Sequence, residues 1–294
     1  MRTLTKLMGT RWLDRCVTLG FAATLLGGVS AMAAGGDDFG YKMQHPSWSW
    51  QGISGTFDRE SARRGYQVYR EVCSSCHQLE QLAFRHLGDT GAPFHYEAYP
   101  NPNDNPYVKA IAADWTVEDI DGDTGDVIER PAIPADGFPD IYPNEAAARA
   151  SNGGALPPDL SVIVAARTGG ADYIYNLLIA YDYPKPDEVE LTPGLHWNPV
   201  MEGGKIAMAN PLQDGLIEYP SVNVDADGDG EDEEVQVVAS VEQMARDVTT
   251  FLAWSADPKL EERKRAGFGV MTYLTILTLL FYLSYKRVWR NVDH

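Results

Sequence analysis

Two long apolar runs, one near each end, interrupt a chain in which polar and apolar positions otherwise change over short distances. The first run, residues 17–29, follows four basic side chains and precedes Ala-Met-Ala at residues 31–33. This order is typical of an export signal and its cleavage site. We therefore predict that residues 1–33 are a cleaved signal peptide.

The second run, residues 266–285, is twenty residues long and carries no charge. At about 1.5 Å per residue, a helix of that length crosses a hydrocarbon core of about 30 Å. Basic residues flank the run on both sides, and Tyr285 and Trp289 lie where a membrane interface would be. Residues 263–294 are therefore predicted to be a transmembrane anchor with a short tail.

Between the runs, apolar positions recur with the period of a helix. The first such stripe predicts a helix that begins near Asp58 and continues through a pair of cysteines. Its members, spaced by four, three, four and three residues, are Ala62, Tyr66, Tyr69, Cys73 and Cys76.

Three further helices are predicted, at residues 157–167, 174–181 and 241–256. The last would begin with a capping box formed by Ser240 and Gln243. Strand signals are scarce, and the remaining sequence is rich in proline and glycine. The expected fold class is therefore mainly α, one domain with long loops and insertions plus one C-terminal transmembrane helix.

Charge narrows the range of partners. Residues 34–262, which are predicted to form one exported domain, carry 14 basic and 40 acidic side chains, a net charge of −26. Nucleic acid and anionic membrane surfaces are poor partners for such a domain, whereas a basic protein would be attracted and oriented by its field.

Candidate chemistry is concentrated at Cys73, Cys76 and His77, which form the C-x-x-C-H signature of covalent haem c attachment. The two thiols can bond one porphyrin, and the adjacent imidazole can coordinate its iron. A zinc site would need a second cysteine pair, and a thiol oxidoreductase would need a thioredoxin-like frame that the neighbourhood lacks. The third cysteine, Cys16, lies in the predicted signal peptide, so haem binding is favoured over both alternatives.

The sixth iron ligand is less clearly marked by the residues themselves. Met208 lies in a non-helical, proline-containing stretch that could present a thioether to iron, and it is favoured. Met201 is the nearest rival, although the two glycines that follow it would loosen its backbone. The other candidates are Met43, Met244, expected in the core, and, for a bis-histidine haem, His45, His86, His95 and His196.

Several sequence blocks resemble the cytochrome c1 family, the haem subunit of the quinol–cytochrome c oxidoreductase (bc1 complex), in its bacterial form. The resemblance covers nearly all of the predicted mature chain and ends with the basic-flanked anchor. Besides the C-x-x-C-H motif, the blocks that carry it are residues 66–69, 152–161, 167–173, 206–208 and 245–254.

The resemblance implies specific roles for residues around the haem. Iron would be held by His77 and by Met208, and a methionine ligand raises a haem potential. Arg167 would lie near a haem propionate, which a guanidinium can bind through two hydrogen bonds, and Tyr173 would lie near the haem. The alternative for Arg167 is an interaction with a helix C-terminus. Tyr69 is a further pocket candidate or simply a core aromatic.

The function implied is an electron-transfer subunit with no independent bond-making chemistry. It would take electrons from a Rieske iron–sulfur subunit, beside cytochrome b, and pass them to a basic soluble c-type cytochrome. The haem domain would lie in the periplasm, anchored to the bacterial inner membrane with a cytoplasmic C-terminus. Two competing hypotheses are a haem enzyme with an open iron position and a membrane-tethered cytochrome that acts outside any complex.

Two acidic stretches, residues 118–126 and 225–234, are expected to be insertions. The second begins as a calcium-binding EF-hand loop would, but position 12 of that loop is Gln236 instead of glutamate. A solvated loop or a docking surface is therefore favoured over a calcium site.

Overall fold

The computed structural model describes residues 39–224 and 233–291. The predicted signal peptide and most of the second acidic stretch lie outside these residues. The described chain is mainly helical, which confirms the predicted fold class. Its helices are α1 (Arg59–Glu71), α2 (Pro106–Ala113), α3 (Glu145–Ser151), α4 (Ile163–Ala166), α5 (Gly170–Ile179), α6 (Val241–Ala256) and α7 (Leu260–Val288).

Within the described residues, six short strands form three two-stranded antiparallel ribbons, each joining strands that are neighbours in sequence. The strands are β1 (Thr116–Ile120), β2 (Val127–Pro131), β3 (His196–Trp197), β4 (Lys205–Ile206), β5 (Val222–Val224) and β6 (Glu233–Val235).

Most of the first acidic stretch is a hairpin, since β1 and β2 pair in register from Thr116 with Pro131 to Ile120 with Val127. Arg130 lies at its base, within 2.5 Å of the Asp119 carboxylate and 2.7 Å of the Asp136 carboxylate. The second acidic stretch is bounded by the pairing of β5 with β6.

Helix α1 begins where its cap predicts. The Asp58 carboxylate accepts hydrogen bonds from the main-chain N–H groups of Glu60 and Ser61. The prediction that the helix continues through Cys76 was wrong, because α1 ends at Glu71 and a 3-10 turn, Cys73–Ser75, follows.

Two serine hydroxyls accompany this helix end. The Ser74 hydroxyl donates to the carbonyl of Arg70, and the Ser75 hydroxyl donates to the carbonyl of Val72. Such local side-chain bonds satisfy carbonyls that the end of a helix leaves without partners. Both cysteines therefore lie beyond α1, in and directly after a tighter turn.

The helix predicted over residues 157–167 was largely wrong, since only α4 forms there. The preceding residues are held by longer-range bonds: the Leu160 N–H donates to the Gln78 carbonyl, and the Asp159 carboxylate accepts from the Glu80 N–H. These bonds tie this segment to the residues just after the C-x-x-C-H motif, at the expense of a helical hydrogen-bond pattern.

The third and fourth predicted helices are confirmed as α5, extended by a 3-10 turn at Ala180–Asp182, and as α6. Only half of the capping box forms at the start of α6. The Ser240 hydroxyl accepts from the Gln243 N–H, while the Gln243 amide donates to Asp247.

Helices α1 and α6 pack closely at the centre of the core. Gly65 lies against the main chain at Asp247, and the Asp247 carboxylate is completely buried, where it binds Arg64 through two hydrogen bonds and accepts one from the Ser61 hydroxyl. A buried carboxylate needs such partners. The apolar residues around this contact include Tyr66, Tyr69, Phe251 and Trp254.

Helix α7 contains the predicted anchor. Among the described residues it is the one helix long and apolar enough to cross a membrane. Its first turns belong to the domain, because the Glu261 carboxylate accepts from the Phe57 N–H at 3.0 Å and the Lys264 ammonium donates to two carbonyls near residue 50.

This arrangement predicts where the anchor can be removed. A chain stopped after Arg265 should be water-soluble and keep its visible spectrum, since it retains the Glu261 and Lys264 contacts. A chain stopped after Leu260 loses both contacts and should unfold at lower temperature. Thermal unfolding of the two truncated proteins, followed by circular dichroism, tests this. Equal melting temperatures would show that the first turns of α7 contribute nothing to the domain.

Candidate haem site

The C-x-x-C-H turn places both thiols and the imidazole within five residues of backbone. The Cys76 and His77 N–H groups donate to the Cys73 carbonyl at 3.1 and 2.9 Å, which closes the turn. Neither Cys73 nor Cys76 is in a disulfide. Burial, with a smaller effect from neighbouring Cys76, raises the pKa of the Cys73 thiol to about 12. Because neither thiol is in a disulfide, both sulfurs are available for covalent attachment.

His77 is oriented by a main-chain acceptor. Its Nδ1 lies 2.8 Å from the Pro158 carbonyl oxygen, which can only accept a hydrogen bond. The proton must therefore sit on Nδ1, which leaves the Nε2 lone pair available to a metal. Burial also lowers the pKa of His77, so the imidazole is held in the neutral form that coordinates iron.

Tyr69 lies on α1 and reaches over the same turn. Its hydroxyl donates to the His77 carbonyl at 3.1 Å, and its ring packs beside Phe251 at 5.9 Å between centroids. Burial raises the pKa of Tyr69, so the phenol remains a donor. The contact supports the main chain of His77. It gives Tyr69 a role in the turn besides its place in the core.

Met208 packs against the same apolar cluster as Cys73. The loop that carries it begins after β4, which is paired with β3 in the register of Ile206 opposite His196. The loop is fixed again at Met208 itself, because the Tyr181 hydroxyl donates to the Met208 carbonyl at 3.0 Å. Burial raises the pKa of Tyr181, so this donor stays protonated.

The rival methionines have other surroundings. The Met201 sulfur accepts a hydrogen bond from the Tyr173 hydroxyl at 3.2 Å. Met244 is completely buried in α6, which confirms the expectation that it belongs to the core. Met43 packs against a separate small cluster around Tyr41. These contacts favour Met208 over the other three as the available thioether.

The rival histidines are distributed over several elements. His45 pairs with Asp172 at 2.8 Å, His86 accepts from the Ala83 N–H, and His95 lies 3.2 Å from the Gly88 carbonyl. His196 is exposed on β3. Of these five histidines, only His77 lies directly beside the two free thiols, and the Pro158 carbonyl orients it there.

Arg167 and Tyr173 lie near each other. Arg167 is exposed and follows α4 directly, while Tyr173 is on α5. Burial raises the pKa of the Tyr173 hydroxyl, and the nearby Arg167 charge partly opposes that effect. Within the described residues, the Arg167 guanidinium makes no hydrogen bond or ion pair. It is therefore available to an anionic group.

Reasoning from sequence missed two functional contacts, the Pro158 carbonyl and the Tyr181 hydroxyl. Pro158 was assigned to a helix, where its carbonyl would have been used within the helix. Tyr181 was predicted only as the last residue of a helix. No local signal reveals either contact, because each joins residues that are tens of positions apart in the chain.

The residues present fit a covalently attached haem. Two thiols outside any disulfide and a neutral imidazole of fixed tautomer lie in one turn, and Cys73 of that turn packs against the same apolar cluster as the thioether of Met208. Together with the apolar helix α7, the site defines the class of the protein: a membrane-anchored cytochrome of the c type.

Comparisons with known proteins agree with this class and narrow it. A family model described as the Cytochrome C1 family matches residues 48–292. Cytochrome c1 of Rhodospirillum rubrum is 35% identical, covering 89% of this chain and 93% of that protein. Mitochondrial cytochrome c1 of Kluyveromyces lactis is 43% identical, covering 83% of this chain and 75% of that protein. The chain belongs to the cytochrome c1 family.

A third relative has a different organisation. The cytochrome b/c1 of Bradyrhizobium diazoefficiens is 39% identical over 83% of this chain, which spans 35% of the length of that relative. Family membership implies a covalently bound haem c and a role as the haem electron-transfer subunit of a bc1 complex. The geometry at Cys73, Cys76 and His77 is consistent with such a cofactor.

Proposed function

We propose that this protein accepts single electrons from a Rieske iron–sulfur subunit, within a complex that also contains cytochrome b, and delivers them to a soluble c-type cytochrome. The observation that carries the proposal is the hydrogen bond between His77 Nδ1 and the Pro158 carbonyl, in the same turn as two free thiols. A histidine oriented in this way has its tautomer already fixed and presents Nε2 to iron.

Each residue of the site then has a defined task. Cys73 and Cys76 would form thioether bonds to haem, while His77 Nε2 and the Met208 sulfur would bind iron. Arg167 would pair with a propionate, supported by the free guanidinium and its neighbour Tyr173. Bound haem supplies reversible one-electron chemistry between ferric and ferrous iron. The protein contributes ligation, burial and the tuning of the potential.

Two measurements test this proposal. Ferrous wild-type protein should not bind carbon monoxide, because a filled sixth position leaves no open site, whereas rapid binding would favour a haem enzyme. Mild detergent should extract the chain together with cytochrome b and a Rieske subunit. If the chain were extracted alone from membranes that contain those subunits, a membrane-tethered cytochrome acting outside the complex would be the better description.

We further propose that the haem domain lies on the periplasmic side of the bacterial inner membrane, with residues 286–294 in the cytoplasm. Covalent haem attachment to an exported domain and the predicted signal peptide support this orientation. A protease added to sealed spheroplasts should cleave the haem domain and leave a C-terminal tag protected. The reverse pattern would contradict the orientation.

The net charge of −26 on residues 34–262 predicts strong steering of a basic acceptor. Electron delivery to a basic soluble cytochrome should slow steeply as salt rises, since charges are screened beyond about 10 Å at 0.1 M. Stopped-flow measurement of the second-order rate checks this. Oxidation by a small uncharged oxidant serves as the control and should be nearly independent of salt.

The second acidic stretch is our candidate for part of this steering surface. Its neutralisation should lower the rate with the basic cytochrome, flatten the salt dependence and leave the haem potential unchanged. An unchanged rate would place the docking charge elsewhere on the domain. The residues to replace with asparagine or glutamine are Asp229, Glu231, Asp232, Glu233 and Glu234.

A further inference from the structure

A short loop, residues 51–56, is tied at both ends to the start of the anchor helix. The Lys264 ammonium donates to the Trp50 carbonyl at 2.5 Å and to the Gly55 carbonyl at 2.9 Å. Just beyond the loop, the Phe57 N–H donates to Glu261 at 3.0 Å. The foot of α7 therefore fixes where this loop lies.

The position of Lys264 sets the level of the loop relative to a bilayer. Lys264 precedes the apolar run at residue 266 by two residues, which is about 3 Å along a helix axis. A bilayer has a headgroup layer of about 5–8 Å on each side of its hydrocarbon core. The Lys264 side chain reaches the loop carbonyls from this position on the helix. The loop is therefore held beside or within the headgroup layer.

The composition of the loop suits that layer. Residues 51–56 carry no charge, although the domain around them is strongly acidic, and the three basic residues 263–265 lie beside their attachment point. Ile53 is 84% exposed, more than any other large apolar residue of the described chain. One exposed isoleucine is unremarkable by itself, but this one belongs to a neutral loop fastened to a membrane helix.

Aromatic residues flank the loop on the domain side. Trp50 stacks on Trp48 with ring centroids 4.9 Å apart and packs against Phe57 at 5.3 Å. Tryptophan is enriched where proteins meet the membrane interface, because its ring is apolar and its N–H is polar. The cluster gives the loop a rigid base that would hold it at a fixed depth.

We propose that the loop of residues 51–56 is a membrane-contacting element that inserts Ile53 into the lipid interface beside the anchor. Its partner is the phospholipid surface: the neutral loop tip enters the interface, and the exposed guanidinium of Arg265, beside Lys264, faces lipid phosphates. The contact would restrict the tilt of the haem domain over the membrane. This inference rests on the anchor helix and does not depend on the assignment of the iron ligands.

Site-directed spin labelling of the full-length holoprotein tests the proposal. A nitroxide would be placed at Ile53→Cys and, as a control, at Ile120→Cys, an exposed position on β1. With the haem iron in the ferrous state, the proteins would be reconstituted in phosphatidylcholine vesicles and exposed to oxygen or to a water-soluble nickel chelate. The label at residue 53 should respond more to oxygen and less to nickel than the control label does.

Two outcomes would overturn the proposal. Equal nickel accessibility at both positions would place Ile53 in water. A label at residue 53 that both reagents fail to reach in the complete bc1 complex would place a protein partner there. If haem occupies Cys73 and Cys76, the spin label should not attach to the wild type. Attachment to these cysteines would contradict the haem assignment, independently of the result at residue 53.

A second variant tests the attachment of the loop. Lys264→Gln removes the ammonium that holds the two loop carbonyls but leaves the apolar run intact. The label at residue 53 should then become more mobile and lose part of its preference for oxygen over nickel. Lys286→Gln, at the other end of the anchor, is the matched control and should leave the label unchanged. An unchanged label in Lys264→Gln would show that Lys264 does not set the loop's position.

Discussion

Gly65→Ala is expected to destabilise the domain by at least about 3 kcal/mol, at the upper end of the cost of overpacking a core. An added Cβ would overlap the main-chain carbonyl oxygen of Asp247 and lie 2.8 Å from Cβ of Phe251. Both obstacles belong to the neighbouring helix α6, and neither is the mobile end of a side chain. The two helices would have to separate, which would also disturb the buried pair of Asp247 with Arg64.

Thermal and urea unfolding of the holoprotein measure this effect. A loss of about 3 kcal/mol corresponds to a melting temperature lower by about 6–12 °C for a domain of this size. Gly122→Ala is the matched control, because a Cβ at Gly122 meets no atom within 4 Å. If Gly65→Ala melted with the control, the close contact of α1 with α6 would not limit stability.

The two helices in this contact were predictable because their starts are marked locally. Asp58 and Ser240 each cap a helix with a side chain that lies within three residues of the N–H groups it binds. The end of α1 was not predictable from periodicity, since the apolar stripe continues into the cysteine turn. There, serine hydroxyls bind carbonyls at the helix end, a feature that hydrophobic spacing does not report.

The segment around Pro158 shows the opposite case. Its local sequence suits the start of a helix, yet it forms bonds to residues 78–80, roughly eighty positions earlier. Those bonds place the Pro158 carbonyl against His77. The local preference was overridden where the chain builds its candidate functional site, as expected when tertiary contacts outweigh propensity.

Parts of the site were nevertheless predictable. Covalent attachment requires a fixed spacing of Cys73, Cys76 and His77, so the pattern is visible without a fold. The choice among methionines depends on tertiary contacts. Two tyrosines separate the candidates: Tyr173 binds the sulfur of Met201, whereas Tyr181 binds the main chain at Met208 and leaves that sulfur unengaged by the contact.

Replacement of Met208 by leucine is the change expected to affect the haem most. Haem should remain attached through Cys73 and Cys76, because those bonds do not involve the sixth ligand. The potential should fall by roughly 0.1 V or more, within the range of about 0.8 V over which axial ligands set haem potentials, since the thioether that favours ferrous iron is lost. Spectroelectrochemical titration of the purified protein measures the midpoint.

Met201→Leu is the matched control, with the same substitution in a neighbouring loop, and should leave the potential near that of the wild type. Tyr181→Phe gives a third measurement, because it removes the bond to the Met208 carbonyl and keeps the sulfur. Ferrous Tyr181→Phe should bind carbon monoxide, which the wild type should not, but more slowly than Met208→Leu, since a loosened loop releases the sixth ligand only part of the time. If Met201→Leu lowered the potential and Met208→Leu did not, the iron ligand would be Met201. The hydrogen bond from Tyr173 to its sulfur would then have to break when haem binds.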